Sequence, residues 1–544
     1  MAAEYAEYAD VVIVGAGAAG LSLADALTAP GAGRPRSVTL VEAPDGPLRP
    51  PERTWCFWEA GEGPYEDAVA ARWDLLRVHA PDGTALDGAP APLTYKMIRS
   101  ARFTELVGAR LAARPGVRLL RATVERIRDL PAAGDRPGDR SRPGPGARTG
   151  PGAPPGPGAR PGREARPGGG LRTGAGVRGG PETPPAPEAR PRPGPETPSG
   201  PEARRRPETP PGPGARMSPE ASPGPEAQAG PGAPPGPGAS PGPGFGPGGG
   251  APRAEVVCAA PDGRRTVLRA RWVYDSRPPA ALPPARTTLL QHFRGWFVRT
   301  ARPAFDPAVA TLMDFRVPRP AHGLAFGYVL PLGEREALVE YTEFSRRPLS
   351  RPEYDEALGR YAAGALGLGA FEVTAAEQGV IPMTDARLPR RTGSGVFRIG
   401  AAGGATRPAT GYTFAAVQRQ SAAIAAGLRA GRDRPPPPPH SRRALAMDAV
   451  LLRALDTGRI DGPDFFARLF GSVPFDRMLR FLDGGTRLRE DLSIGFATPV
   501  VPMLRTAAEL PFLRRTEHPV PPSGQPTPPA SAPTVRDTRE KSSP

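Results

Sequence analysis

The chain has 544 residues, of which 78 are proline and 68 are glycine, and such proportions exclude a packed core running through its whole length. Its formal net charge is +16, but the arginines are scattered and no basic run is interleaved with aromatic residues, so we expect no nucleic-acid partner. Two cysteines and five histidines, none at metal-ligand spacing, predict neither a disulfide framework nor a metal site.

The first predicted elements are a strand, a glycine-rich turn and a helix in residues 10–27, DVVIVGAGAAGLSLADAL. In the pattern Gly15-x-Gly17-x-x-Gly20, the first glycine makes a tight turn and the second lets the backbone approach a pyrophosphate. The third lets the helix pack closely against the strand. The phosphate would lie at the helix N-terminus, where free N–H groups and the helix dipole favour an anion.

A second strand follows at residues 37–43, SVTLVEA, and Glu42 stands near its end. This carboxylate is placed to accept hydrogen bonds from an adenosine ribose. Strand, glycines, helix, strand and terminal acid together predict a Rossmann-type dinucleotide-binding part over residues 1–130.

Residues 131–252 repeat proline, glycine, alanine and arginine, with recurring PETP and PGP units. Such a stretch cannot bury enough apolar surface to offset the entropy lost on ordering, so we predict a disordered insertion with polyproline II character. Strand patterns occur before it at residues 116–127 and after it at residues 254–276, so the insertion should replace a turn between neighbouring strands. A partner that docks on its PxxP-type segments stays an alternative.

Residues 253–394 are predicted to form a β-sheet part, and the family resemblance described below implies that this part binds the substrate. In a strand over residues 338–345, side chains alternate between two faces, so Glu340 and Glu343 point in opposite directions. Only one of these carboxyls can therefore face a substrate. An apolar environment would keep such an acid neutral by raising its pKa, but a glutamate in a strand is more often a solvated surface charge.

Residues 395–428 predict a strand, a glycine-rich turn and a long alanine-rich helix. In two-part FAD sites such a unit closes the flavin end, with the helix N-terminus facing the isoalloxazine and ribitol, so the pattern favours FAD over NAD. Gly400 is followed by Ala401, where many such proteins carry an aspartate, and the ribitol contacts then fall to backbone groups and to Thr406 or Arg407. The predicted cofactor-binding residues of this part, residues 395–434, are Gly400, Gly403, Gly404, Thr406, Arg407 and Gly411.

A proline run at residues 435–439 precedes a predicted helical segment over residues 441–513. FFARLF (residues 465–470) and FDRMLRFL (residues 475–482) space apolar residues at i, i+3 and i+4, as amphipathic helices do. Such helices pack on a protein core or on a membrane surface, and both interpretations stay open. The polar tail, residues 516–544, is predicted to be disordered.

Several stretches together resemble the bacterial FAD-dependent lycopene β-cyclases. They are RTWCFWE (53–59), YKMIRSARF (95–103), VYDSRP (273–278), QHFRGWFV (291–298), FDPAVATLMDFR (305–316), FGYVLPL (326–332), LVEYTEF (338–344), IPM (381–383) and GGATRPATGYTF (403–414). They follow the order of the family. The resemblance implies an α/β fold: a Rossmann-type, two-part FAD-binding flavoprotein with an antiparallel β-sheet substrate-binding domain.

The resemblance also implies a non-redox reaction, in which the ψ-ends of lycopene are cyclised to β-ionone rings to give γ-carotene or β-carotene. Reduced FAD is the expected active form, and NAD(P)H would serve only to reduce it. The Leu-Glu-acid-Thr motif of the family falls on residues 339–342, so Glu340 takes the role of general acid. Tyr341 replaces the second acid of the motif, and Glu343 stays a second catalytic candidate.

The same resemblance bears on location and on the substrate site. The N-terminus lacks the apolar stretch of a signal peptide and no run of about 18 apolar residues occurs, so we expect a cytoplasmic protein that meets its C40 carotene substrate at the membrane surface. Trp296, Phe326 and Tyr328 are expected to present aromatic faces to the developing cation. Two alternatives stay open: a monooxygenase or prenyl reductase acting on an isoprenoid, and a proline-rich interaction protein on a flavin scaffold.

Overall fold

The computed structural model describes residues 6–31, 36–130, 251–320, 322–432 and 435–518. The chain divides into two units, Met1–Asp139 with Pro243–Pro544, and Arg140–Gly242. All described residues belong to the first unit. The predicted insertion, apart from its last two residues, and the predicted tail after His518 lie outside the described residues.

The elements of the described residues are numbered in chain order. The strands are β1 (Ala6–Val14), β2 (Val38–Glu42), β3 (Thr54–Ala60), β4 (Val69–Trp73), β5 (Leu75–His79), β6 (Ala85–Gly88), β7 (Leu93–Arg99), β8 (Val117–Arg121), β9 (Thr123–Asp129), β10 (Ala254–Ala259), β11 (Arg265–Asp275), β12 (Thr288–Thr300), β13 (Val309–Asp314), β14 (Leu324–Pro331), β15 (Glu336–Ser345), β16 (Phe371–Thr384) and β17 (Val396–Arg398). The helices are α1 (Ala18–Thr28), α2 (Ser100–Ala112), α3 (Arg351–Ala363), α4 (Phe414–Arg429), α5 (Arg442–Asp456), α6 (Gly462–Ser472), α7 (Phe475–Leu482), α8 (Leu488–Phe496) and α9 (Val500–Glu509).

The first sheet has the strand order β8-β2-β1-β11-β10-β9, with β17 also paired to β11. Strands β8, β2, β1, β11 and β17 run parallel, as is usual for valine- and leucine-rich strands that are buried on both faces. Leu23 of α1, Phe103 of α2 and Ile424 of α4 are buried in the cluster that covers one face. Strands β9 and β10 are antiparallel neighbours, so the insertion does interrupt the connection between two paired strands, as predicted.

The second sheet has the order β16-β12-β15-β14-β13-β5-β6 and is antiparallel at its centre. Since side chains alternate along each strand, its two faces bury different clusters. One face packs against α3, where Tyr341 and Tyr354 are buried together. The other face packs against α6 and α7, with Leu338, Phe466 and Leu479 in one cluster. A third sheet, β3-β7-β4, is also antiparallel.

The predicted helices FFARLF and FDRMLRFL are α6 and α7, and their apolar side chains are buried. Of the two interpretations, packing on a protein core is therefore the correct one for these helices. Beyond α9, the backbone of Thr516 exchanges hydrogen bonds with that of Ala285 (2.9 and 2.8 Å), so this part of the chain is attached to the rest of the fold. Within the described ranges, no helix combines the length and the apolar composition needed to cross a bilayer.

Candidate functional site

The glycine turn between β1 and α1 has the shape that a dinucleotide phosphate requires. Gly15 adopts a φ of +96°, and a Cβ at Gly20 would collide with the carbonyl oxygen of Gly15, so both positions need glycine. Gly17 precedes α1 without a capping side chain, and a Cβ at Gly17 would meet nothing within 4 Å. The free N–H groups at the helix N-terminus thus border an open space suited to a pyrophosphate.

Glu42 is the last residue of β2, beside the end of the parallel strand β1. It is 9% exposed, and its Oε1 lies 2.8 Å from Nη2 of Arg49. Arg49 also forms an ion pair with Asp45. Glu42, the residue predicted to bind the ribose, is thus paired with a cation. The sequence did not predict this pair because Arg49 lies in a loop without periodic spacing.

The predicted C-terminal part of the site meets the N-terminal part directly. Strand β17 leads into a short 3-10 turn at Gly400, which has a φ of +61°. A Cβ at Gly400 would lie 2.6 Å from the Cβ of Ala19 in the first turn of α1. A Cβ at Gly403 would collide with the carbonyl oxygen of Arg398 at the end of β17, while Gly404 has a φ of +83° and open space beside it. Two glycine turns in contact form a cradle that fits a long dinucleotide such as FAD.

The other predicted cofactor residues lie in the loop before α4. Thr406 accepts a hydrogen bond from a neighbouring threonine hydroxyl (3.0 Å). Gly411 has a φ of +74° and abuts Oε1 of Gln291, a buried atom without a hydrogen-bond partner among the described residues. Arg407 is 1% exposed, and its Nε lies 2.8 Å from Oδ2 of Asp448 in α5. Arg407 therefore ties this loop to the C-terminal helices, and its contact with a ribitol stays a prediction.

Glu340 lies in β15 on the sheet face that packs against α6 and α7. Its side chain is 8% exposed, and burial raises its pKa to about 8, so the carboxyl is mostly neutral at pH 7. The hydroxyl of Thr342 donates to Oε1 (2.7 Å), which leaves Oε2 to carry the proton. Oε2 lies beside Gly295 of β12, 3.5 Å from where a Cβ would stand. Glu340 thus has the protonation state that a general acid needs.

A second carboxyl, Glu377 of β16, lies in the same row of the sheet. Glu340 pairs with Gly295, and Gly295 pairs with Glu377, so the two carboxyls flank a position without a side chain. Burial raises the pKa of Glu377, while a 2.8 Å hydrogen bond from Thr54 and the charge of Arg53 oppose this rise. The negative charge of Glu377 is the second-largest cause, after burial, of the raised pKa of Glu340. Sequence reasoning missed Glu377 because only the strand pairing brings it to Glu340.

Aromatic residues from distant parts of the chain surround Glu340. Tyr328 of β14 pairs with Glu340 across the sheet, and its hydroxyl lies 2.6 Å from that of Tyr95. The Tyr95 hydroxyl is 3.2 Å from that of Tyr412, and the ring of Tyr412 meets Trp58 edge-on at 4.5 Å between centroids. Each of these five residues comes from a different segment of the family resemblance, so the fold brings those segments together at one place.

Glu343 lies on the opposite face of β15, against α3. Its Oε1 is 3.8 Å from Nε2 of His292, and its Oε2 is 3.4 Å from the hydroxyl of Tyr341. Burial raises the pKa of Glu343, but a full sheet thickness separates its carboxyl from the face that carries Glu340. The alternation of side chains expected from the sequence is therefore observed.

Of the three aromatic residues expected to face a cation, two lie on the same face as Glu340. Tyr328 is directly opposite Glu340, and Phe326 is two residues away in the same strand and face. Trp296 points to the other face, where its Nε1 donates to Asp355 of α3 (3.1 Å). The expectation for Trp296 was wrong because its neighbour in β12, a glycine, occupies the face toward the site.

No group of three or more His, Cys, Asp or Glu side chains in the described part of the chain is arranged to hold a metal ion. The described groups at the site are the row of two carboxyls and the aromatic residues around it. Both lie beside the loop that follows the second glycine turn, since Tyr412 belongs to that loop.

These features define a Rossmann-type flavoprotein fold with a two-part dinucleotide site and a separate antiparallel sheet. The family described as "Lycopene cyclase protein" matches residues 10–137 and 250–508. The chain therefore belongs to the lycopene cyclase family, as its motifs indicated. No curated protein is close enough in sequence to count as a match.

Solved structures with a similar fold are more distant. A geranylgeranyl bacteriochlorophyll reductase-like protein from Thermoplasma acidophilum is 10% identical with a TM-score of 0.48, covering 94% of this chain and 100% of that one. A flavoprotein/dehydrogenase from Cytophaga hutchinsonii is 12% identical with a TM-score of 0.49, covering 93% and 98%. No conclusion about activity follows from a likeness at this level.

Proposed function

We propose that the protein is a lycopene β-cyclase, which converts the ψ-ends of lycopene to β-ionone rings by acid catalysis without net oxidation. The observation that carries the proposal is the state of Glu340 in a chain of the lycopene cyclase family. Its carboxyl is buried, its pKa is raised to about 8, and Oε2 accepts no hydrogen bond from a described residue. A neutral acid with one free oxygen can donate a proton to an alkene.

The proposed reaction is an isomerisation, with no net gain or loss of atoms or electrons. The proton on Oε2 of Glu340 adds to the terminal double bond of lycopene, and the next alkene attacks the resulting tertiary carbocation to close a six-membered ring. One ring proton is lost to water, which restores a double bond, and the Glu340 carboxylate regains a proton from solvent, so the product is an isomer of the substrate. The rings of Phe326, Tyr328 and Tyr412 support this assignment, because aromatic faces stabilise a nearby cation.

The glycine turns support FAD as the resident cofactor. The turn from Gly15 to Gly20 would hold the pyrophosphate, Glu42 the ribose, and the turn at Gly400 the flavin end. When bound in reduced form, FAD would supply negative charge that stabilises the carbocation formed after protonation. NAD(P)H is proposed only as the reductant.

The test is cyclisation of lycopene in liposomes by purified protein with dithionite-reduced FAD under anaerobic conditions. In D₂O the proposed reaction gives products with one deuterium gained per ring and no other change in mass, as measured by chromatography and mass spectrometry. A product that gains two hydrogens would identify a reductase, and a product that gains one oxygen in a parallel assay with O₂ and NAD(P)H would identify a monooxygenase. Absence of any cyclic carotene would refute the proposal.

A second prediction concerns the row of carboxyls. If Glu340 must be protonated, the rate of cyclisation falls as the pH rises through the pKa of Glu340. The negative charge of Glu377 raises that pKa, so Glu377→Gln should move the alkaline limb of the pH–rate profile to lower pH and leave the rate at low pH nearly unchanged. Glu372→Gln, an exposed position in the same strand, is the matched control and should not move it. An unchanged or upward-shifted limb in Glu377→Gln would contradict the coupling.

A further inference from the structure

The C-terminal helices expose a concentration of large apolar side chains. Of the eleven exposed large apolar residues among those described, seven lie between residues 488 and 512. Six of the seven are 57 to 86% exposed. The α8–α9 surface is defined by Leu488, Leu492, Phe496, Val500, Val501, Leu504 and Phe512. Apolar residues scattered singly need no explanation, but a concentration of this kind within one short stretch of the chain marks a contact with something apolar.

Helical spacing places these side chains on continuous stripes. Leu488, Leu492 and Phe496 follow each other at i, i+4 and i+8 along α8, and Val500, Val501 and Leu504 form the equivalent stripe of α9. The helices use another side to pack on the protein, where Ile494 is buried in the large apolar cluster. The exposed stripes are thus additional to the surface that the fold needs for its own core.

Within residues 487–514, the charged side chains that form no ion pair with a described residue are all cations. The carboxylates are paired with arginines of other elements: Glu490 with Arg480, Asp491 with Arg443, and Glu509 with Arg453 and Arg459. Four exposed arginines form no ion pair with any described residue: Arg487, Arg489, Arg505 and Arg514. Apolar side chains among unpaired cations are the combination by which amphipathic helices bind anionic lipid surfaces.

We propose that the α8–α9 surface docks the protein on an anionic lipid bilayer. The choice of a bilayer rests in part on the proposed function, because a C40 hydrocarbon substrate dissolves in the membrane. The two long segments outside the described residues offer little to cover the surface: residues 131–250 contain one each of leucine, valine, methionine and phenylalanine, and residues 519–544 contain two valines and no larger apolar residue. The unpaired arginines also favour an anionic partner over a second copy of this basic chain, whose net charge is +16.

The docking surface is connected to the candidate site through apolar contacts. Ile494 of α8 belongs to the same buried cluster as Leu479 of α7 and as Leu338, which neighbours Glu340 on its face of β15. Ala497, which directly follows α8, and Met503 of α9 pack against that cluster. A bilayer contact at α8 and α9 would therefore place lipid beside the apolar cluster that covers the substrate face of the sheet.

The experiment is flotation of the full-length protein with vesicles of phosphatidylcholine alone or mixed with phosphatidylglycerol. The wild type should float with the anionic vesicles, and Phe496→Glu combined with Leu504→Glu should lower the partition coefficient about tenfold or more. Arg489→Gln combined with Arg505→Gln should lower it by about fivefold or more on anionic vesicles only. Leu119→Glu combined with Leu332→Glu, two exposed leucines elsewhere, is the matched control and should bind like the wild type.

Two outcomes would overturn the docking surface. One is a Phe496→Glu, Leu504→Glu variant that floats as well as the control. The other is a wild type that forms dimers in light scattering and becomes monomeric in that variant, which would assign the surface to a second copy. Vesicle binding requires no turnover, so a wild type that docks through this surface but forms no cyclic carotene would refute the proposed function alone.

Discussion

Glu340→Gln should lower the rate of ring formation by about 10²- to 10⁴-fold, the range that a positioned general acid contributes. The amide has nearly the same shape and can still accept the hydrogen bond that Thr342 donates to Oε1. It carries no acidic proton, however, so the chemical step loses its donor while the fold is retained. The measurement is the initial rate of cyclic carotene formation, with bound FAD determined by absorbance in the same sample.

Glu343→Gln is the control that the sheet provides. Glu343 is also buried and also has a raised pKa, but it faces α3 and lies near His292. Its replacement should leave cyclisation close to that of the wild type, with any effect appearing in thermal stability. If Glu343→Gln abolished the reaction and Glu340→Gln did not, the roles assigned to the two faces of β15 would be reversed.

The parts of the site that follow from local rules could be predicted from the sequence. Three glycines at fixed spacing after a buried strand predicted the nucleotide turn, because only glycine tolerates the φ of Gly15 and the close packing at Gly20. The two-residue period of a strand likewise separated Glu340 from Glu343. In both cases the information lies within a few residues of the chain.

Features that depend on strand pairing or on loop paths could not be predicted in this way. Glu377 reaches the Glu340 row only because β16 and β15 both pair with β12, and no local pattern specifies which strands become neighbours. The prediction for Trp296 was wrong for a related reason. A strand with apolar residues on both faces does not indicate which face lies toward the site. Arg49 reaches Glu42 through an irregular loop.

Which helix faces are exposed to solvent could not be predicted from the sequence either. The strong amphipathic patterns of α6 and α7 raised a membrane interpretation, yet both are buried. The exposed stripes occur instead in α8 and α9, which lie within the predicted helical segment but for which no amphipathic face was predicted. Amphipathic spacing identifies an apolar face, but only the packing of neighbouring elements decides whether protein or solvent meets that face.

Gly17→Val should give a folded protein without bound FAD. A Cβ at Gly17 would touch no protein atom within 4 Å, and the backbone φ there is −84°, so the substitution introduces no collision within the chain. The valine side chain would instead fill the space beside the helix N-terminus that we assign to the pyrophosphate. The purified variant should therefore be colourless, with circular dichroism like that of the wild type.

Two other glycines separate loss of the cofactor from loss of the fold. Gly333→Val, at a turn where a Cβ also meets nothing within 4 Å, should remain yellow and active. Gly20→Val should lower stability as well as FAD content, because its side chain would collide with the backbone of Gly15. A yellow Gly17→Val protein with full FAD occupancy would place the pyrophosphate elsewhere, because the pyrophosphate and the valine side chain cannot occupy the same space.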